Sequence, residues 1–422
     1  MYMYKKFSII LCLFCAMYSM SQDTLNFKGD LHIQSTVLPI TLQIINQKDT
    51  TLVFMGSPAQ TKELVAASKT KITEDSVKVN IKSLSVRVRL KYSEDKQTLT
   101  GTFKQGAFST DITFNRTESQ YTMQRPQTPQ PPFDYVIKEL QFKNPDCAYD
   151  FHGTLTYPKC NGKFPCVVLV SGSGCQDRDE NIGGHRPFFV IADYLTKNGI
   201  AVFRYDDRGF GSKDTNMYRG TTMDFAEDTR CAINMLKEQK EIDANNIIVL
   251  GHSEGGLIAQ ILGAKYKDIK ALVFMAAPSI NGRDILITQT EAMLKAQNYT
   301  KEQIEMNTNT IRNTKYDTNS LNGYWFDYFC KFDPKDYLTK LKMPILVLQG
   351  EKDIQVLLNE NIPLMKKYLK RNKKVEYKLY PELNHLFQQC TTGTPDEYIM
   401  ISQTIDSQVL QDIKDFVLSI TK

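Results

Sequence analysis

Two kinds of hydrophobic periodicity divide this chain. From about residue 22 to 116, apolar and polar positions alternate. The alternation runs through Leu38-Pro39-Ile40-Thr41-Leu42-Gln43-Ile44, Val77-Lys78-Val79-Asn80-Ile81 and Val86-Arg87-Val88-Arg89-Leu90-Lys91-Tyr92. It continues in Leu99-Thr100-Gly101-Thr102-Phe103 and Thr110-Asp111-Ile112-Thr113-Phe114. A period of two puts one side of each segment in a core and the other in water. These segments therefore predict antiparallel strands of a small all-β domain, a barrel or a sandwich. Farther along, short β-branched runs alternate with segments of helical period. Strands are expected at Cys166–Ser171, Ala201–Tyr205, Ile247–Leu250, Ala271–Ala276, Ile345–Gln349 and Val375–Tyr380. Helices are expected at Phe188–Lys197, Met223–Lys237, Leu257–Lys265, Ile362–Lys370 and Val409–Ile420. That order predicts an α/β domain, a mostly parallel sheet covered on both faces.

Between the two regions, Gln124-Arg125-Pro126-Gln127-Thr128-Pro129-Gln130-Pro131-Pro132 suits neither a helix nor an inner strand and reads as an extended spacer. The expected layout is a signal peptide at 1–21, the all-β domain at 22–116, a Pro-rich linker at 117–134 and the α/β domain at 135–422. One stretch breaks the rhythm of the second region. About 279–342 carries no strand signal, only polar helical segments and the aromatic cluster Tyr324-Trp325-Phe326-Asp327-Tyr328-Phe329. Set between two strands, it is expected to be a helical lid over a site. The plainer alternative is a helical insertion whose aromatics fill a small core of their own.

Composition adds little to this picture. The formal charge of +5 is small for 422 residues, and the basic residues are scattered, so nucleic acid is not an expected partner. The N-terminus adds more. Lys5-Lys6 precede the apolar run Phe7–Met17, and Ser19-Met20-Ser21 offers small residues where a signal peptidase reads. The run is too short to be a stable membrane anchor. Cleavage after Ser21 would leave no integral membrane segment, and the mature protein is expected in the periplasm or secreted. Lipidation at Cys15 is the lesser alternative, because Phe14 is too large for a good lipobox. Seven of the nine cysteines would stay in the mature chain. Cys147, Cys160 and Cys166 lie close enough in sequence to allow one bridge. Paired C-x-x-C spacing is missing, so no structural metal is expected.

The candidate chemistry centres on Ile247-Ile248-Val249-Leu250-Gly251-His252-Ser253-Glu254-Gly255-Gly256. A strand that stops at G-x-S-x-G and turns into a helix lifts one serine hydroxyl above a sheet. Ser253 is the expected nucleophile. A serine needs a base to take its proton and a carboxylate to hold that base in the right tautomer. On such a fold both partners follow the serine, the acid first. Of the five histidines only His385 lies downstream, after the last strand. The preceding strand ends at Gln349-Gly350-Glu351-Lys352-Asp353, which makes Asp353 the expected acid and Glu351 the reserve. The oxyanion is expected to meet the amides of Glu254 and of Ser173, in the loop Ser171-Gly172-Ser173-Gly174. Dinucleotide binding by that loop is disfavoured, since Asp177 stands where a third glycine is required. His252 reads as a packing neighbour, and His185 as a residue that could line the pocket.

Several motifs together resemble one known group. They are Ser171-Gly172-Ser173-Gly174 with Gln176-Asp177-Arg178-Asp179, Arg204-Tyr205-Asp206-Asp207-Arg208-Gly209 with Gly211, Gly251–Gly256, and Asn384-His385-Leu386-Phe387-Gln388. Residues 135–422 resemble α/β-hydrolases of the bacterial carboxylesterase EstD type, related to serine aminopeptidase-like hydrolases. The resemblance extends more loosely to the preceding β-domain. It implies hydrolysis of short-chain acyl esters by Ser253, Asp353 and His385, with no metal or organic cofactor. Cys175 departs from the proline usual in such loops, which suggests sensitivity to thiol reagents.

The expected protein is thus a serine carboxylesterase acting on a small-molecule or polymer-linked acyl ester. The alternatives are a peptidase or amidase of the same fold, and a non-catalytic surface- or carbohydrate-binding protein. Oligomeric state is not legible in the sequence.

Overall fold

The computed structural model describes residues 23–33, 36–46, 51–57, 64–118, 125–398 and 401–421. The expected signal segment, 1–21, lies outside the described residues, as do 119–124 of the expected linker. The described residues form two compact units that meet in sequence at Pro126 and Gln127.

The N-terminal unit is a single antiparallel sheet of nine strands. They are β1 (Asp23–Ile33), β2 (Thr36–Asn46), β3 (Thr51–Gly56), β4 (Val65–Ala66), β5 (Lys69–Ile72), β6 (Ser76–Ile81), β7 (Val86–Tyr92), β8 (Thr98–Gln105) and β9 (Phe108–Thr117). Their order is β4-β3-β2-β1-β9-β8-β7-β6-β5, and the sheet curls into a half-barrel, neither the closed barrel nor the sandwich that the alternation left open. The alternation has its expected effect on β6 and β7. Val77, Val79 and Ile81 join Val86, Val88 and Leu90 in one core, while Arg87, Arg89 and Lys91 face water. β1 carries a weaker signal for a physical reason. Its inward row runs Leu25, Phe27, Gly29, Leu31, and a Cβ at Gly29 would stand only 2.4 Å from the Thr113 carbonyl oxygen. The close approach of β9 requires glycine where the pattern wants an apolar side chain.

The second unit holds an eight-stranded sheet. Its strands are β10 (Tyr135–Lys143), β11 (Asp150–Pro158), β12 (Phe164–Val170), β13 (Ala201–Tyr205), β14 (Ile242–His252), β15 (Ala271–Met275), β16 (Ile345–Gly350) and β17 (Val375–Tyr380). The order is β10-β11-β13-β12-β14-β15-β16-β17, parallel from β13 onward, with β10 and β11 antiparallel at one edge. β12 shows why its sequence is apolar at every position. Cys166, Val168 and Val170 enter the core on one face, and Val167 and Leu169 enter the core on the other.

Helices cover both faces. α1 (Pro187–Lys197) supplies Phe188, Ile191 and Leu195 to the second of those cores. α2 (Thr222–Lys237) and α3 (Glu254–Lys265) supply Ala232, Ile233, Leu257 and Ile261 to the first. A reciprocal cap between Thr221 and Asp224 sets the start of α2. Four helices then stand between β15 and β16: α4 (Gly282–Ala296), α5 (Lys301–Asn313), α6 (Leu321–Lys331) and α7 (Lys335–Leu338). Their apolar residues, Phe326, Phe329 and Leu338 among them, belong to the main core on that face rather than to a separate one. α8 (Leu358–Tyr368), α9 (Pro395–Tyr398) and α10 (Ser407–Ile420) complete the unit.

Three points differ from the sequence reading. The segment before β10 is no free spacer over its whole length. The Gln127 side chain receives the Thr404 amide at 2.6 Å and donates to the Ile405 carbonyl at 2.7 Å, which ties it to the second unit. The edge pair β10 and β11 was not anticipated. Its inward positions include Thr154 and Thr156, buried because Thr154 donates to Glu139 and Thr156 pairs with Thr196, so the apolar alternation is masked. Finally, Cys147, Cys160 and Cys166 are all free, as are the other described cysteines.

Candidate active site

The candidate residues gather where the parallel strands end. β14 runs into α3 through Ser253, whose φ of 54° and ψ of −119° lie far from the helix it precedes. An L-residue tolerates that backbone only where its surroundings leave no alternative. Here they are unusually tight. A Cβ at Gly251 would sit 2.0 Å from the Gly255 carbonyl oxygen, and one at Gly255 would sit 2.1 Å from that of Val170. Strand and helix approach so closely that only glycine fits, and Ser253 is left half-buried among fully buried neighbours.

Asp353 follows β16 and His385 follows β17. His385 Nδ1 lies 2.8 Å from Asp353 Oδ2, and both residues are only 3% exposed. The carboxylate is fixed on all sides. Its Oδ1 accepts the amides of Gln355 and Val356, and its Oδ2 also accepts the Gln349 side chain at 3.0 Å. Donors on both oxygens hold such a group in one rotamer. The histidine loop is shaped by Asn384, whose Oδ1 accepts the amides of Leu386 and Gln388. Glu351, the reserve acid, is exposed and is not the partner of His385. The carbonyl of His385 is bonded to the ring of His252, the residue before Ser253. Among the described residues, no hydrogen bond joins the Ser253 hydroxyl to His385, a contact that often tightens only when substrate binds.

The loop after β12 lies against the serine. A Cβ at Gly172 would stand 3.1 Å from Ser253 Cβ. The loop is pinned by Asp207, which accepts the Ser171 hydroxyl at 2.9 Å and the Gln176 amide at 2.9 Å. Burial pushes the Asp207 carboxyl well above its ordinary range, against the pull of those two donors. The two expected oxyanion residues are joined by their side chains, since Ser173 Oγ donates to Glu254 Oε2 at 2.7 Å. Glu254 is 2% exposed and accepts two further bonds, from Thr222 Oγ1 at 2.7 Å and Trp325 Nε1 at 2.8 Å. Burial raises its carboxyl above the ordinary value and the three donors pull it back. The helical insertion therefore reaches the residue next to Ser253 through Trp325, whose ring stacks on Phe329 at 4.6 Å.

Three readings of neighbouring residues change. His185 does not line a pocket; it is fully buried, with its ring nitrogens on Thr404 and the Tyr398 carbonyl. His252 is more than a packing neighbour. Its Nδ1 meets Glu180 Oε1 at 2.9 Å and its Nε2 meets the His385 carbonyl at 3.0 Å. Cys175 is half-buried, and burial with the nearby Asp207 and Asp206 pushes its thiol far up, which opposes the reactive thiolate. Glu180 escaped the sequence reading entirely. It stands in an acidic run with Asp177 and Asp179, and no spacing singles it out. Among the described residues, no group of three His, Cys, Asp or Glu is placed to hold a metal ion, and no helix is long and apolar enough to cross a membrane.

The known proteins similar to this chain include an esterase. Residues 186–324 match the family described as serine aminopeptidase, S33. The chain is 30% identical to esterase EstD of Thermotoga maritima over 288 residues, 66% of this chain and 68% of that one. It is 29% identical over 135 residues to an uncharacterised 31.7 kDa protein of Escherichia coli, covering 32% of this chain and 44% of that one. Among solved structures, the Pyrococcus furiosus esterase Pf2001 aligns with a TM-score of 0.46 and 18% identity, over 68% of this chain and 90% of that one.

Proposed function

Because the chain belongs to the α/β-hydrolase superfamily, in the family of esterase EstD, we propose that it is a serine carboxylesterase acting on short-chain acyl esters through Ser253, His385 and Asp353. The observation that carries this reading is the buried His385–Asp353 pair, 2.8 Å apart, on loops beside a serine in a strained strand-to-helix turn. In the proposed reaction His385 Nε2 takes the Ser253 proton as Oγ adds to the ester carbonyl. The tetrahedral oxyanion is met by the amides of Ser173 and Glu254, a contribution of about 3–4 kcal/mol per donor in comparable sites. His385 returns the proton to the leaving alcohol, then activates the water that releases the acid. Asp353 keeps the proton on Nδ1 and stabilises the imidazolium formed in each half.

The proposal extends to cellular place and substrate form. Export with cleavage after Ser21 is tested by N-terminal sequencing of the protein recovered outside the cytoplasm; an intact Met1 there would remove it. The helical insertion is proposed as the wall that limits acyl length. A peptidase or amidase is the second reading, supported by the serine aminopeptidase match over residues 186–324. The experiment is pre-steady-state kinetics with p-nitrophenyl acetate and butyrate, beside an amide of the same acyl group. A burst followed by ester turnover, both lost in Ser253→Ala, is the expected result. Amide turnover faster than ester turnover would favour the second reading, and ester turnover unchanged in the variant would sink both.

A further inference from the structure

His252 is a buried histidine that the proposed reaction leaves unused, and its hydrogen bonds set its charge. Nδ1 faces Glu180 Oε1 at 2.9 Å and Nε2 faces the His385 carbonyl oxygen at 3.0 Å. A carbonyl can only accept. Glu180 Oε1 also accepts the Gly172 amide at 2.7 Å, so that oxygen already faces one donor. Against a carboxylate and a carbonyl, a neutral imidazole with its one N–H would set lone pair against lone pair at one of its two contacts. His252 is 4% and Glu180 1% exposed, so bulk solvent does not screen either contact.

We propose that His252 is held as an imidazolium by Glu180, and that this ion pair is a positioning device that locks three parts of the active site together. His252 belongs to the nucleophile turn, its Nε2–H holds the backbone of the histidine loop at His385, and Glu180 holds the oxyanion loop at Gly172. The charge has a second use. Glu180 Oε1 lies 3.3 Å from the point where a Gly172 Cβ would stand, and Ser253 Cβ lies 3.1 Å from that same point. A bare carboxylate so near the nucleophile would repel the developing oxyanion, and the imidazolium cancels it. The titratable groups that face the ring are Glu180, His385 and Asp353. Burial opposes the charged ring, yet the Glu180 carboxylate and the His385 carbonyl outweigh it and hold His252 above the ordinary histidine value.

The effect on rate rests on the esterase reading; the protonation state does not. The deciding measurement is NMR of the whole protein labelled with ¹⁵N-histidine, at about two pH units above the ~6.5 of a free imidazole. One ring with protons on both nitrogens, absent from His252→Gln, is expected. A His252 ring with a single N–H overturns the proposal, whether or not the protein hydrolyses esters. Kinetics then test the role. His252→Gln is expected to lower kcat about a hundredfold with little change in KM, the loss that a displacement of about 1 Å causes at a reacting group. The double variant with Glu180→Gln is expected to recover part of that loss, since it also removes the stranded carboxylate. A double variant no better than His252→Gln would overturn the electrostatic role.

Discussion

Two buried histidine–carboxylate pairs lie side by side in this protein, with ring centroids 4.7 Å apart. In one, His385 meets Asp353 at 2.8 Å; in the other, His252 meets Glu180 at 2.9 Å. Burial and pair geometry are almost the same, yet the proposed roles are opposite. The difference lies in the second nitrogen. His252 Nε2 is occupied by a backbone carbonyl, whereas among the described residues no protein group hydrogen-bonds to His385 Nε2. A histidine with both nitrogens engaged by acceptors keeps its protons. One with a free nitrogen can pass a proton between serine, leaving group and water. The carboxylate alone therefore does not mark the base.

The sharpest way to break this comparison is to remove each ring in turn. His385→Ala is expected to lower kcat by about 10⁴-fold or more, as loss of the base does in such triads. His252→Gln should lose about a hundredfold, the cost of misplacement without loss of the base. Steady-state ester hydrolysis by both variants decides the matter, and equal losses would erase the distinction drawn here.

Much of this site was legible in the sequence, and the illegible parts share a cause. Ser253, Asp353 and His385 stand out as candidates because strand ends, glycines and chain order constrain them. Glu180 carries no such mark: its partners, Gly172 and His252, lie 8 and 72 residues away and belong to different loops. Trp325 was visible only as one of a cluster of aromatics, and its bond to Glu254 spans 71 residues. The same contrast holds for the fold. β6 and β7 alternate cleanly, while β11 hides its inward row behind Thr154 and Thr156, whose hydroxyls are satisfied by partners the sequence does not name.

Smaller changes sharpen the comparison from its edges. Trp325→Phe keeps the stacked ring but removes a donor from the buried Glu254 carboxylate. It should cost about 1–3 kcal/mol of stability and lower kcat/KM about tenfold, read by thermal melts and ester kinetics. Stability should also depend on His252. Its folded-state pKa is raised, so its contribution is complete below the unfolded value of about 6.5 and is lost as pH rises through the folded one. Urea melts at increasing alkaline pH should show that decline in the native protein and not in Glu180→Gln. The smallest effect concerns Cys175. With its thiol pushed up and half-buried, brief treatment of the native protein with iodoacetamide should leave ester turnover unchanged.

The central claim is that the chemistry passes through an acyl group on Ser253. Acid quenching during turnover of p-nitrophenyl butyrate, followed by proteolysis and mass spectrometry, tests it directly. The account predicts a butyryl adduct confined to the peptide that carries Ser253, more abundant in Asp353→Asn if deacylation is slowed more than acylation. Turnover without an adduct in the native protein, or an adduct on another residue that persists in Ser253→Ala, would contradict it.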